Sequence, residues 1–249
     1  MYQSFYTGAL GAGSFLAKLS VVSNNLANIN NNGYKAKNVA FSDLMNYNLN
    51  DSEDAVTDLM AGNGMRVQRT YTNFGTSAIT QTNRELDFAI MQDNAFFMVQ
   101  DVGTGEITYT RSGRFHRGEL NGSFYLTTES NKLVLDQNQQ PIEVGQMADA
   151  NGEGAEDMAE IQSRIALYTF NNPSRLMNVG DNEFAPSDEG AQPILIENPV
   201  FTSSALESSG ASMAEEMVKV IETQRAFSYA LKVVTTEDEI ESTINSLRG

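Results

Sequence analysis

Side chains that could act as a nucleophile, a general base or a zinc ligand are scarce in this sequence. His116 is the only histidine, it stands in a predicted β hairpin beside Arg114 and Arg117, and cysteine is absent. A Ser-His-Asp triad would have to use this histidine, and the chain has no Gly-x-Ser-x-Gly elbow. One histidine without cysteine also argues against a zinc site. An ordinary surface histidine is the simpler interpretation, so the sequence does not favour an enzyme.

Three segments rich in glycine or carboxylates could hold a phosphate or a cation. Gly8–Gly13 follows no predicted strand and lacks the Lys-Ser/Thr pair of a phosphate-binding loop, so a close approach between helices explains its glycines better. The acidic runs Asp51–Asp54 and Asn151–Asp157 lack the alternating ligand spacing of a calcium loop. They are predicted to be solvated loops, and no cofactor or metal is expected.

The charge and hydropathy of the chain narrow the classes of partner. Its 249 residues carry a formal net charge of −16, which should repel nucleic acid and anionic lipid and which also favours solubility. No run approaches the ~18 consecutive apolar residues of a membrane helix. Lys18 is the only basic residue among the first twenty, and no apolar run precedes a cleavage site. The chain is therefore expected to be cytoplasmic or to leave the cell without a cleaved signal.

The N-terminal segment, residues 1 to about 32, has the apolar spacing of a helix that packs against another helix. Its stripe follows alternating four- and three-residue steps, close to the 3.5-residue period of a coiled-coil seam, and only Ser23 interrupts it. The stripe consists of Phe5, Ala9, Ala12, Leu16, Leu19 and Leu26. Each glycine in Gly8–Gly13 costs this helix roughly 1 kcal/mol relative to alanine, so it is expected to need partners. Asn30–Gly33 should end it, because Asn and Gly adopt left-handed turn conformations readily.

The clearest helix is predicted from Ser212 to the C-terminus. Ser212 and Glu215 form a capping-box pattern at its start, and an apolar seam with Gln224 as its polar exception follows. The seam consists of Met213, Met217, Val220, Phe227, Leu231 and Val234 and then, displaced by one position, Ile240, Ile244 and Leu247. About 37 helical residues span roughly 55 Å. Much of this apolar face should therefore need a partner beyond the chain's own β domain.

Short strands separated by turn residues are predicted in the middle of the chain. Leu86–Ile90 alternates in the manner of a half-buried strand, and Asn121–Gly122 is a strong hairpin signal. Further strands are predicted at Ala95–Gln100, Ile107–Arg111, Leu133–Leu135 and Ile165–Phe170. The predicted fold class is therefore α+β. Its parts are an N-terminal helix with an extended segment at residues 1–66, an all-β domain at 67–200 and a C-terminal helix at 201–249.

Three groups of segments form a pattern when they are taken together and in this order. The N-terminal group is Ser23–Asn28 with Gly33–Lys35. The central group is Glu85–Ile90, Phe96–Val99, Tyr109–Phe115 and Leu167–Pro173. The C-terminal group is Glu215–Val218, Ile221–Phe227 and Asp238–Glu239. Together they resemble the bacterial flagellar rod and hook proteins, and the resemblance covers both ends of the chain and most of its middle.

This resemblance implies a structural axial component of the flagellar basal body. In that family the terminal helices pack as a coiled coil that lines a tube, and the β domain forms an outer layer. The implied partners are other copies of the chain, sister rod and hook proteins and the flagellar type III export apparatus, which exports without a cleaved signal. The implied role is self-assembly and torque transmission, with no cofactor, no nucleic acid and no membrane insertion.

The assembly interface expected from these patterns lies on both terminal helices. Its predicted residues are Phe5, Leu16, Leu19, Asn24, Asn25, Leu26, Asn28, Met217, Val220, Gln224, Arg225, Phe227, Leu231 and Val234. Its polar members have two interpretations each. The asparagines either cap and turn their own chain or bond neighbouring subunits, and Gln224 either sets the register between helices or faces solvent.

Departures from the family pattern fall in predicted turns, at Asn31–Asn32, Gln92–Ala95 and Ser209–Gly210. They leave the choice between a proximal and a distal rod protein open. A second class of function stays open as well. The acidic loops and aromatic residues would also suit a secreted binding module whose β domain recognises an extracellular ligand.

Overall fold

The chain folds into two compact units, each assembled from separate stretches of sequence. The computed structural model describes residues 2–45, 47–48, 60–145, 158–187 and 191–248. The first unit takes residues 1–27, 37–72 and 211–249, and the second takes 28–36 and 73–210. The acidic runs Asp51–Asp54 and Asn151–Asp157 lie outside the described residues. The predicted division at residues 66 and 200 stays a prediction.

The observed elements confirm the α+β class, with a long helix at each end and strands between them. The helices are α1 (Tyr2–Ala27), α2 (Met158–Arg164) and α3 (Met213–Arg248). The strands are β1 (Lys37–Asp43), β2 (Tyr47–Asn48), β3 (Met60–Ala61), β4 (Met65–Thr72), β5 (Ile79–Gln81), β6 (Phe88–Ile90), β7 (Ala95–Gln100), β8 (Ile107–Thr110), β9 (His116–Leu120), β10 (Ser123–Thr127), β11 (Leu133–Val134), β12 (Leu167–Phe170), β13 (Leu176–Gly180), β14 (Glu183–Pro186), β15 (Pro193–Leu195), β16 (Phe201–Ser203) and β17 (Ala205–Glu207). A 3₁₀ turn covers Pro173–Arg175.

The first unit pairs the two terminal helices and adds a β hairpin. α1 and α3 run antiparallel, because Ser4 bonds Glu237 near one end of the pair and Asn25 bonds Glu216 near the other. Strands β1 and β4 pair antiparallel with one bulge, and the hairpin packs on α1. Phe15 of α1 meets Phe41 of β1 edge-on, with ring centroids 6.2 Å apart.

Two of the three glycines in α1 lie against α3. A Cβ atom on Gly8 would stand 3.1 Å from Val234 Cγ2 and 3.3 Å from the Ala230 carbonyl oxygen, and one on Gly11 would stand 4.0 Å from Ala230 Cβ. A Cβ on Gly13 would meet no atom within 4 Å. The predicted close approach between helices is thus confirmed for Gly8 and Gly11.

The second unit is built around a nine-stranded sheet. Seven strands follow the order β13-β14-β8-β7-β11-β10-β9, while β12 pairs with both β7 and β15. Successive residues of β7 enter different apolar clusters, with Phe97 and Val99 in one and Phe96 and Met98 in the other. Side chains alternate between the faces of a strand, so β7 has core on both sides, which explains its continuous apolar run.

One strand prediction in this unit is confirmed, and one is wrong in its burial. β9 and β10 form the hairpin predicted at Asn121–Gly122, where both residues have positive φ, 54° and 85°. In β6, Phe88 and Ala89 are both fully buried, and the preceding Asp87 is buried too. The expected half-buried strand is instead covered on both faces. One oxygen of this carboxylate is bonded internally, because Thr82 Oγ1 donates to Asp87 Oδ2 at 2.6 Å, and Arg84 Nη1 lies 3.5 Å from the other oxygen.

The ends of the two long helices lie close to their predicted positions. α1 ends at Ala27, three residues before the predicted stop, where the backbone N–H of Asn31 donates to the Asn28 carbonyl. α3 begins directly after Ser212, and its 36 residues correspond to roughly 54 Å.

α1 has the length and composition of a helix that could cross a membrane. Gln3–Ala27 reaches a mean hydropathy of 1.2 within an 18-residue window near the N-terminus. This is weak evidence, because the core helix of a soluble protein and a signal sequence meet the same criterion. α3 and the hairpin cover part of the surface of this helix. The expectation of no membrane insertion therefore stays a prediction.

Candidate assembly interface

The face of α3 that packs on α1 is rotated relative to the predicted apolar seam and overlaps it only in part. Glu216 and Thr223 are the buried residues of this helix, and Ala230 and Val234 contact the glycines of α1. Glu216, Thr223 and Ala230 recur every seven residues and carry polar or small side chains, whereas Val234 belongs to the predicted seam. Small side chains opposite glycine allow two helix backbones to approach closely, and this leaves larger apolar side chains at the edges of the contact.

A buried polar cluster joins the C-terminal part of α1 to the start of α3. Asn25 Nδ2 donates to Glu216 Oε2 at 3.1 Å and to the Lys37 carbonyl at 2.8 Å, and its Oδ1 accepts from the Lys37 N–H at 2.9 Å. Lys219 Nζ donates to the other Glu216 oxygen at 2.6 Å. Asn25 and Glu216 are each 1% exposed. The side chain of Asn25 therefore bonds within its own chain, as one of its two interpretations expects.

The other predicted residues of α1 lie mainly at its surface. Phe5 and Leu16 are 44% and 53% exposed. Leu19 and Leu26 are half-buried, and Asn24 is exposed. The structure thus gathers these side chains on one helix, but it leaves Phe5 and Leu16 exposed.

The predicted residues of α3 divide between the contact with α1 and the exposed surface. Val220, Phe227 and Val234 are half-buried. Met217 and Leu231 are 53% and 42% exposed. Gln224 and Arg225 are exposed, which agrees with the solvent-facing interpretation of Gln224. Whether these residues contact neighbouring copies stays a prediction.

Exposed apolar side chains concentrate on the two terminal helices. Of the large apolar side chains that are exposed among the described residues, more than half belong to α1 or α3. On α3 they are Met213, Met217, Val218, Ile221, Tyr229, Leu231, Val233, Ile240, Ile244 and Leu247. Residues 238–248, named here the α3 tail, extend past the Ser4–Glu237 contact, close to where α1 begins. Large apolar surfaces that stay exposed in one chain are typical of interaction sites.

Asn28 belongs to a segment that is bound inside the second unit. Its side-chain oxygen accepts from Asn31 Nδ2 at 2.7 Å, and its carbonyl accepts from Ser209 Oγ at 3.0 Å. Backbone bonds of 2.8 Å from Gly33 N–H to the Glu207 carbonyl and from Gly210 N–H to the Tyr34 carbonyl continue the attachment. These contacts hold residues 28–36 in place and match the interpretation of Asn28 as a turn residue.

Three charged side chains meet in the interior of the second unit. Lys35 Nζ lies 2.6 Å from Glu207 Oε1, and Arg111 Nε lies 3.0 Å from Glu207 Oε2, with all three side chains 0–1% exposed. Arg111 also donates to the carbonyls of Ala95 and Gln92. Burial and, secondarily, the Arg111 charge lower the pKa of Lys35 to about 8, although the Glu207 carboxylate opposes this shift.

The sequence contained two signals for this ionic cluster. Lys35 and Arg111 both lie in segments that carried the family resemblance, but Glu207 stood outside every motif. Gly33 has a φ of +68°, and a Cβ at this position would lie 2.7 Å from the Arg111 carbonyl. The glycine therefore lets the chain pass closely over the arginine, and the lysine two residues later reaches Glu207.

The described residues that were considered for catalysis or metal binding do not form a common site. His116 lies partly exposed at the start of β9, and its carbonyl accepts from Thr127 Oγ1. Within the ranges that the structure describes, no group of three His, Cys, Asp or Glu residues could hold a metal ion. The acidic runs fall outside those ranges, so their proposed solvation is not tested.

The α+β fold, with a long helix at each end and a β unit formed from the middle of the chain, suits the class of axial structural proteins. Comparison with known families matches both ends separately. A family model described as flagella basal body rod protein covers residues 5–35, and one described as flagellar basal body rod FlgEFG protein C-terminal covers residues 202–247.

Curated relatives align with the chain over nearly its whole length. The flagellar basal-body rod protein FlgG of Bacillus subtilis is 28% identical over 266 residues, with 100% of both chains covered. FlgG of Borreliella burgdorferi is 26% identical, covering 100% of this chain and 99% of the relative. The flagellar hook-basal body complex protein FlhP of B. subtilis is 24% identical, with 100% of both chains covered. Together these matches support a flagellar basal-body rod protein family for the chain, and a structural role in the rod.

Proposed function

We propose that this chain is a subunit of the flagellar rod that assembles through its terminal helices and transmits torque along the rod. The observation that carries the proposal is the concentration of exposed apolar side chains on α1 and α3. A coiled-coil arrangement with helices of neighbouring subunits would cover these side chains. The burial of apolar surface would then supply the free energy of assembly, at roughly 25 cal/mol per Å².

The proposed partners follow from the same surfaces and from the relatives. Other copies of the chain and sister rod and hook proteins would supply the neighbouring helices. The name of the FlhP relative, a hook-basal body complex protein, agrees with this set of partners. The proposed location is the flagellar basal body, reached through the flagellar type III export apparatus without a cleaved signal.

A single charge on the exposed face of α3 tests this proposal. Ile221 is 51% exposed, so Ile221→Glu places a carboxylate in the proposed interface with little effect on the isolated fold. Thr236→Glu is the matched control, because it adds the same charge at another exposed position of the same helix. Both variants are expressed from the native locus of the source strain, and thermal unfolding of the purified chains checks their stability.

Assembly and torque are read separately. We expect Ile221→Glu to abolish swimming in soft agar and to stop basal bodies short in electron micrographs, whereas Thr236→Glu should swim. Rotation of tethered cells then measures torque in strains whose rods are complete. Complete rods and normal rotation with Ile221→Glu, in a chain that folds normally, would argue against assembly through this helix face.

A further inference from the structure

An apolar groove opens in the first unit beside the beginning of α1. The groove has a volume of about 410 Å³ and is lined by Gln3, Tyr6, Thr7, Leu10, Leu44 and Asn63. Gln3 Nε2 donates to Asn63 Oδ1 at 3.2 Å, and Asn63 Nδ2 donates to the Met45 carbonyl. The amides in the wall thus bond within the chain, and the remaining lining suits an apolar occupant.

The α3 tail has the side chains that such a groove requires. Ile240, Ile244 and Leu247 are 46%, 39% and 83% exposed and follow the i, i+4, i+7 spacing of helix-in-groove anchors. The three anchors span roughly 10 Å along the helix axis. The α1 part of the groove, from Gln3 to Leu10, has the same length, so one stripe of the tail matches the groove.

The tail of the same chain is poorly placed to fill this groove. α3 is one continuous helix to Arg248, and the Ser4–Glu237 bond places its residue 237 beside the first turn of α1. Because the helices are antiparallel, residues 238–248 continue beyond the start of α1. The groove begins at Gln3 and extends in the opposite direction, which leaves it available for a tail from another copy.

The α3 tail and the hairpin beside the groove also carry opposite charges. The tail carries Asp238, Glu239 and Glu241 on an already acidic chain. Arg66 of β4 is exposed and pairs with Ser42, two residues before the groove residue Leu44. This cation therefore stands at the groove end of the hairpin, where it can attract the acidic tail.

We propose that the α3 tail of one copy docks in the groove beside α1 of a second copy, with Ile240, Ile244 and Leu247 as its apolar anchors. The inference rests on the proposed assembly through the terminal helices. It also specifies which surfaces meet, since each copy would contribute its tail to one neighbour and its groove to another. Such a head-to-tail contact extends into rings or filaments rather than stopping at a dimer.

Cross-linking between full-length chains tests the contact directly, because the protein has no cysteine of its own. One preparation carries Tyr6→Cys, a second carries Leu247→Cys, and the two are mixed under assembly conditions with a short bismaleimide. We expect a cross-linked product of two chains in the mixture and much less with either preparation alone. Thr236→Cys replaces Leu247→Cys in the control mixture and should give at least tenfold less product.

Exchanging the charges of Arg66 and Glu241 provides a second test of the contact. Arg66→Glu and Glu241→Arg should each raise the concentration needed for assembly about tenfold, and the two changes combined should restore it. Sedimentable assemblies without the Tyr6–Leu247 product would overturn the docking and leave assembly through the helices intact. A product that forms only after a sister axial protein is added would overturn it as well. Failure of the wild-type chain to assemble under any condition would count against the proposed function itself.

Discussion

The carboxylate of Glu207 binds two buried cations, so its removal should have a large effect on stability. Lys35 Nζ and Arg111 Nε lie 2.6 Å and 3.0 Å from its two oxygens. Oε1 also accepts from the backbone N–H of Ser77 at 2.6 Å. Glu207→Gln keeps the shape of the side chain and one acceptor, but it removes the charge that both cations face.

The expected loss follows from the burial of this cluster. Removal of one partner from a buried ion pair costs about 3–5 kcal/mol, because the remaining charge is buried without compensation. For a domain of about 150–250 residues, each kcal/mol lowers the midpoint of thermal unfolding by roughly 2–4 °C. We therefore expect Glu207→Gln to unfold about 6–20 °C below the wild type near neutral pH.

The loss should also depend on pH. Burial already lowers the pKa of Lys35 to about 8, and the Glu207 carboxylate is the main group that opposes this shift. Without the carboxylate the pKa should fall further, so Lys35 can lose its proton and relieve part of the penalty. The difference between variant and wild type should accordingly be smaller near pH 9 than near pH 6.

Thermal unfolding followed by circular dichroism measures both effects. Glu129→Gln is the matched control, because Glu129 pairs with Arg114 at 2.9 Å at the surface, where their side chains are 63% and 47% exposed. Such an exposed pair contributes about 0–1 kcal/mol. A Glu207→Gln midpoint equal to that of the control, at both pH values, would refute the assignment of a stabilising role to this carboxylate.

Three further changes test other parts of the fold. The pKa of Lys35 is about 8 in the folded chain, against an ordinary value of 10.5. Between these two pH values the unfolded chain binds more protons, so the free energy of unfolding should rise with pH. Urea unfolding at several pH values should show this rise for the wild type and not for Lys35→Met. Gly13→Ala should stabilise the protein by about 0.5–1 kcal/mol. Gly8→Ala should stabilise it less, because the added Cβ would lie 3.1 Å from an α3 side chain. Equal stabilisation by the two variants would contradict the close approach of the helices. Asn25→Ala leaves buried partners unsatisfied and should cost about 2–4 kcal/mol by denaturant unfolding, against about 0.5 kcal/mol for Ser23→Ala at an exposed position.

Local patterns sufficed to predict the two long helices and several central strands, but not α2, β1 to β5 or β13 to β17. The apolar run Ala95–Gln100 coincides with β7, and Asn121–Gly122 forms the hairpin turn between β9 and β10. Both features depend on neighbouring residues, through strand preference and through the positive φ of the turn. The half-buried prediction for Leu86–Ile90 is wrong because alternation shows only which residues are apolar, whereas the polar Asp87 is buried and accepts a bond from Thr82.

The ionic cluster could not be predicted in the same way. Lys35 and Glu207 stand 172 residues apart, and Arg111 and Glu207 stand 96 residues apart. Charged residues are rarely buried without partners, so each of the three would be assigned to the surface until the others are known. Only the tertiary fold shows that they share one site.

The rotation between the predicted seam and the observed contact of α3 has a physical cause that bears on assembly. Periodicity identifies the apolar stripe of a helix, but it does not say which neighbour covers the stripe. Gly8 and Gly11 accept small side chains closely, so α1 contacts the face that contains Ala230, while Met217 and Leu231 remain largely exposed. If another copy covers that exposed stripe, then Leu231→Glu should weaken assembly and leave unfolding of the isolated chain within about 0.5 kcal/mol of the wild type. A large loss of stability would instead show that Leu231 belongs to the intramolecular contact, and the seam would then serve folding rather than assembly.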